Sequence, residues 1–195
     1  MQVKTNVKGG TRPLASNHNE ARVRAAALAL LLLALAAPVG AALGNDNRAP
    51  DLVGDCKELQ VDAGNKVAFH AYAEGVQIYR WNGTTWVFVA PEAWLFAGAE
   101  DDDPVAIHYA GPTWESASGS KVVGTVLKRC IPDPDAIPWL KLEAVSSEGP
   151  GIFDGVTFIQ RVNTVGGKAP AGPGDFPGEV ARVPYTAEYF FYRAQ

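Results

Sequence analysis

The chain has 195 residues, of which 47% are hydrophobic and 19% charged, with a formal net charge of −4. That is enough for one domain with a real core. An acidic chain without a basic run is excluded as a nucleic-acid binder, because phosphate contacts dominate such affinity.

Residues 1–24 carry Lys4, Lys8, Arg12, Arg22 and Arg24 against the single acid Glu20. Residues 25–37 then run AAALALLLLALAA, and small residues follow from Pro38 to Ala42. A basic region, a short apolar core and a small-residue exit are the parts of a secretory signal peptide. The apolar run falls short of the roughly 20 residues a membrane span requires; an uncleaved anchor is the alternative. Pro38 and Gly40 oppose a continuing helix. Arg22 and Arg24 are split by Val23, which does not support the twin-arginine route. Residues 1–44 are therefore expected to be removed, leaving a secreted or periplasmic protein with no membrane attachment. Their loss takes away five bases and one acid and leaves 12 basic and 20 acidic residues, a charge of −8. Such a charge disfavours anionic membrane surfaces and favours neutral or cationic ligands.

Residues 45–58 open with NDNRAPDL and read as a flexible lead-in. The β-rich domain is expected over 59–195. Short runs rich in Val, Ile, Thr and aromatics fall at 66–73, 76–81, 85–89, 105–109, 121–128, 139–146, 156–163 and 186–193. Asn82-Gly83 is a hairpin signal between the second and third of these, since a tight turn there needs positive φ. Residues 116–120 (SASGS) read as a turn. No window keeps a helical apolar period. The fold expected is all-β, a single antiparallel sandwich or barrel of about eight strands. Two proline-rich connections stand out, at 130–138 and 163–184; a loop as long as the second is often functional or mobile. Cys56 and Cys130 are the only cysteines. In an oxidising compartment they read as one disulfide, the alternative being two buried thiols.

Residues 108–115 (HYAGPTWE) form the densest cluster of distinctive side chains. Gly111-Pro112 interrupts the strand, so His108 and Glu115 could face each other as a base and its orienting carboxylate. The plainer reading is a packed Trp114, a satisfied histidine and a sheet corner. Along 156–163, alternation puts Gln160 on one face with Val156, Phe158 and Val162. Arg161 and Asn163 fall on the other, with Thr157 and Ile159. These polar groups could line a pocket or tie down the glycine-rich loop. The candidate ligand-binding set is His108, Trp114, Glu115, Gln160, Arg161 and Asn163, placed beside the Gly111-Pro112 bend. His70 and His108 lack the close spacing of metal ligands, and 100–103 (EDDD) lacks the pattern of a calcium loop. No phosphate loop, dinucleotide fingerprint, nucleophile elbow or zinc-protease motif occurs. No metal and no cofactor are expected.

The segments GNKVAFHAYAEGVQIYR (64–80), HYAGPTWESASGSKVVG (108–124), AIPWLKLEAVSSEGPGIFDGVTFIQRVNTVGGKAP (136–170) and VPYTAEYFFYR (183–193) closely resemble the domain-of-unknown-function family 3455. The likeness spans about residues 59–193. It implies an exported protein of a kind found in bacteria and some fungi, and brings no established activity. Family members typically read Tyr-Arg-Cys where this chain has Tyr79-Arg80-Trp81, and Gly-Cys where it has Gly174-Asp175. The two missing cysteines would be a pair. Cys56 and Cys130 would then be a local substitute, and the hold on the loop 166–178 becomes a question.

Three functions fit. The first is a secreted binding module for a neutral or cationic small molecule or a glycan. The second is a hydrolase-like enzyme using His108 and Glu115. The third is an envelope interaction protein with an exposed apolar patch and no deep pocket.

Overall fold

The computed structural model describes residues 48–195; the expected leader and residues 45–47 lie outside the described residues. Eight strands follow a short 3₁₀ helix, Gly54–Leu59. They are β1 (Asn65–Trp81), β2 (Trp86–Phe96), β3 (Ala106–Tyr109), β4 (Thr113–Ser116), β5 (Lys121–Cys130), β6 (Trp139–Glu148), β7 (Val156–Gly166) and β8 (Val180–Ala194). Each pairs antiparallel with the next, and β8 pairs with β1 from Asn65↔Ala194 to Arg80↔Val180, which closes the sheet into a barrel. Closure removes the unpaired edges an open sheet would leave.

Two expected strands, 66–73 and 76–81, are one. Glu74-Gly75 does not break β1, because at Gly75 the β2 backbone lies too close to admit a side chain. A Cβ there would lie 2.1 Å from the Glu92 carbonyl oxygen and 2.5 Å from the Ala93 Cα. The glycine thus permits a tight barrel corner. The hairpin across Asn82-Gly83 forms, with Trp81 opposite Trp86. Gly83 has φ of 95°, and the Asn82 side chain accepts from the amides of Thr84 and Thr85. The strand that sequence reading omitted is β4, which pairs with β3 across the Gly111-Pro112 bend.

Inward positions divide by size. Ala71, Ala73, Ala93, Ala106 and Ala187 line one side, and Trp114, Phe153, Ile159, Tyr189 and Phe191 fill the space they leave. Large opposite small lets a narrow barrel pack this part of its interior closely. Phe153, from the β6–β7 connection, packs on Phe69 and Phe191 and plugs one end.

A second apolar cluster lies on the outer face, where Val67, Phe158, Val162, Phe190 and Tyr192 are covered by Cys56, Leu59 and Val61. The Cys56–Cys130 disulfide pins that cover, spanning 74 residues of sequence. Residues 54–58, read from sequence as the end of a flexible lead-in, thus form with Leu59 a docked helix whose Cys56 and Leu59 are buried. Burial of apolar groups and a covalent link hold them there, which a polar composition does not reveal.

Candidate functional site

The end of the barrel opposite Phe153 leads into a cavity of ≈ 370 Å³. Its wall is made by the second half of β1, the start of β2, the β3–β4 bend, the end of β5, the start of β6 and Arg161 of β7. Strand alternation decides which side chains enter. On β3 and β4, His108 and Trp114 are paired residues with the same inward parity, and their rings stack at 4.4 Å with 5° between planes. Tyr189 of β8 packs edge-on against both. On β7, Ile159 and Arg161 point in.

His108 is 3% exposed. Its Nδ1 lies 2.8 Å from the Thr113 carbonyl, an acceptor, so Nδ1 carries the proton and Nε2 is left as the lone-pair nitrogen. Burial pushes its pKa down to about 3; the Thr113 bond opposes this and Arg161 adds to it. The ring is therefore neutral at physiological pH. Burial also raises the Tyr79 hydroxyl, which donates to the Gly167 carbonyl at 2.7 Å. Tyr185 is raised well above its usual range, first by burial and then by Tyr189.

Arg161 is 9% exposed. Its Nε and Nη2 both donate to one acceptor, the Pro138 carbonyl, at 3.2 and 2.8 Å. Among the described residues no carboxylate lies within ion-pair distance of it, and no Asp or Glu lines the cavity. A further donor, Trp114 Nε1, is buried without a hydrogen-bond partner among the described residues, and Trp114 lines the cavity; the Gln77 amide, also in the wall, interacts with the Tyr185 hydroxyl.

His108, Trp114 and Arg161 thus meet in one cavity beside Gly111-Pro112, while the other three expected site residues lie elsewhere. Glu115 is on the outer face, where it accepts from the Tyr109 hydroxyl at 2.7 Å; that bond is the main cause raising the Tyr109 pKa. His108 and Glu115 are an odd number of residues apart across a paired hairpin, so they occupy opposite faces of the sheet. Gln160 points outward beneath the docked helix, donating to the Leu59 carbonyl at 2.7 Å and accepting from the Tyr192 hydroxyl. Asn163 leaves the face of Arg161 because a bulge interrupts the β7–β8 pairing between Val162 and Val165. It has φ of 50° and donates to Glu188 on the exterior at 2.9 Å. His70 is also external, stacked on Phe190 and 2.8 Å from Glu188. Among the described residues no group of three His, Cys, Asp or Glu could hold a metal ion.

Gln77, Tyr79 and Tyr189 line the cavity but are absent from the sequence-derived set. The first two alternate on one strand, a signal hidden by the aromatic richness around them. The glycine-rich connection runs beside the open end. A Cβ on Gly174 would lie 2.6 Å from the Trp81 ring, Trp86 Nε1 donates to the Gly172 carbonyl at 2.9 Å, and Gly178 N donates to the Trp81 carbonyl at 2.7 Å. Trp81 therefore packs where the resemblance places a missing cysteine, and indole contacts hold the loop.

Fold and site together define a small up-and-down β-barrel, plugged at one end, with an apolar cavity at the other. The chain belongs to a family described as a protein of unknown function (DUF3455), whose model matches residues 62–193. No curated protein and no solved structure matches it.

Proposed function

We propose that the domain is an exported binding barrel that holds one small, largely apolar molecule. The observation that carries this reading is the ≈ 370 Å³ cavity, walled by aromatic and aliphatic side chains with a few convergent polar groups. Eight-stranded barrels have room for side chains or for one small ligand, and apolar concavities with sparse, placed polar groups are the usual form of ligand sites. Export is supported by the leader pattern at 1–44 and by the Cys56–Cys130 bridge, a bond that persists in oxidising compartments.

The cavity's own electrostatics revise the ligand charge suggested by the −8 total. Arg129 and Arg161 line it and no acid does among the described residues, so a cation is disfavoured. A glycan's many hydroxyls would find few partners there. The hydrolase reading loses its acid–base pair, because His108 and Glu115 are on opposite faces.

The test is titration with the neutral fluorophore N-phenyl-1-naphthylamine. One saturable site with blue-shifted emission is expected in the wild type, and its loss in Val126→Trp, which fills the wall. Absence of saturable binding, or binding unchanged by Val126→Trp, would overturn the proposal.

A further inference from the structure

We infer that the occupant carries a carboxylate, and that Arg161 is its anchor; the natural ligand class is a small organic acid with an apolar body. This rests on the binding reading above and names the ligand class for the same cavity.

Taking a guanidinium out of water is expensive unless a charge and enough hydrogen-bond acceptors compensate it. Arg161 has one carbonyl for two of its donors and, among the described residues, no carboxylate. If its only task were to hold the β5–β6 connection at Pro138, a neutral donor would serve without a buried charge. Thr164, within the bulge, already does similar work, donating to the Ile137 carbonyl at 2.6 Å.

The geometry of the fork completes the point. Nε and Nη2 share the edge that faces Pro138, so Nη1 and the second N–H of Nη2 have no protein acceptor among the described residues. That end of the guanidinium matches the two oxygens of a carboxylate, a planar bidentate pairing that arginine favours. The surrounding groups compete for none of it. His108 is neutral, and Tyr79 gives its proton to Gly167. Trp114 Nε1 is a further buried donor without an acceptor among the described residues, so two side chains of the wall carry donors that lack acceptors. A carboxylate supplies acceptors and negative charge together. A phosphate carries a second charge and three oxygens and would have to engage Arg129 of the wall as well as the free end of Arg161.

The experiment is displacement of N-phenyl-1-naphthylamine by matched eight-carbon probes: octanoate, octan-1-ol, octylamine and octyl phosphate. Octanoate should compete about ten- to a hundredfold better than octan-1-ol, the range of one charge-assisted pairing. Octylamine should be weakest. In the wild type the preference should fade as pH drops through the acid's own pKa, about 4 to 5. Arg161→Met should bind the fluorophore and lose the preference, and Glu115→Gln, altered on the outer face, should keep it. Equal competition by octanoate and octan-1-ol overturns the carboxylate assignment and leaves the cavity reading standing. Octyl phosphate outcompeting octanoate tenfold also overturns it, in favour of a phosphate headgroup. No fluorophore binding at all overturns the binding reading instead. The wild-type probe series and pH profile decide the matter even if Arg161→Met does not fold.

Discussion

His108 should make the ligand-free barrel acid-sensitive, by an amount the structure sets. The ring is sealed between Trp114 and Tyr189 with Nδ1 on a backbone carbonyl, and Arg161 adds a like charge nearby. Its folded pKa is about 3, against 6.5 for an unperturbed histidine. As pH falls below 6.5, the unfolded chain takes up a proton that the folded chain refuses, so stability falls with pH at about 1.4 kcal/mol per unit. The loss stops near pH 3, where the folded ring also protonates. Relative to pH 7, the cost is about 2 kcal/mol at pH 5 and about 3 kcal/mol at pH 4. The assay is urea unfolding of wild type and His108→Gln across this range. Glutamine can still donate to Thr113 and does not titrate. Carboxylate titrations are common to both proteins and cancel in the difference. His108→Gln is expected to be less stable at pH 7 through lost stacking, and to close the gap or overtake the wild type toward pH 4. Parallel stability curves would refute the buried neutral histidine.

Removing the disulfide as Cys56→Ser with Cys130→Ser should cost about 4 kcal/mol on the loop-closure estimate for a 74-residue separation, and lower Tm by roughly 10 °C; differential scanning calorimetry reads this, and thiol titration of the unreduced wild type should find no free thiol. Gly75→Ala places a methyl against the backbone of Glu92 and Ala93, neither of which can move without opening the β1–β2 corner. A loss above 3 kcal/mol is expected, and a near-wild-type urea midpoint would contradict the corner. N-terminal sequencing of exported protein should place the first residue between Ala41 and Asn45; a protein that still begins at Met1 contradicts cleavage.

Much of this architecture was legible because its signals are local. Asn82-Gly83 encodes a turn in two residues, and the alternation of 156–163 separates Gln160 from Arg161. The parity of 108–115 puts His108 and Trp114 on one face and sends Glu115 outward, against an acid–base pair of His108 and Glu115. What stayed hidden depends on the partner strand. The merging of two runs into β1 follows from unbroken pairing with β2 and β8 across Glu74-Gly75, where the close β2 backbone admits only a glycine. The outward turn of Asn163 follows from a bulge in the β7–β8 pairing. The docking of residues 54–59 depends on an outer apolar patch that forms only once β7 and β8 are paired. The charge of the cavity was opposite to the charge of the chain, because net charge sums the surface and a site is set by the few residues that face it.

The most direct test is a crystal structure of the mature domain with 8-bromooctanoate, located by the anomalous signal of bromine. The account predicts the bromoalkyl chain inside the barrel among Trp114, Leu142 and Tyr189, with both carboxylate oxygens on the free end of the Arg161 guanidinium. Bromine found only on the outer surface, or a carboxylate turned to solvent with Arg161 unengaged, would contradict it.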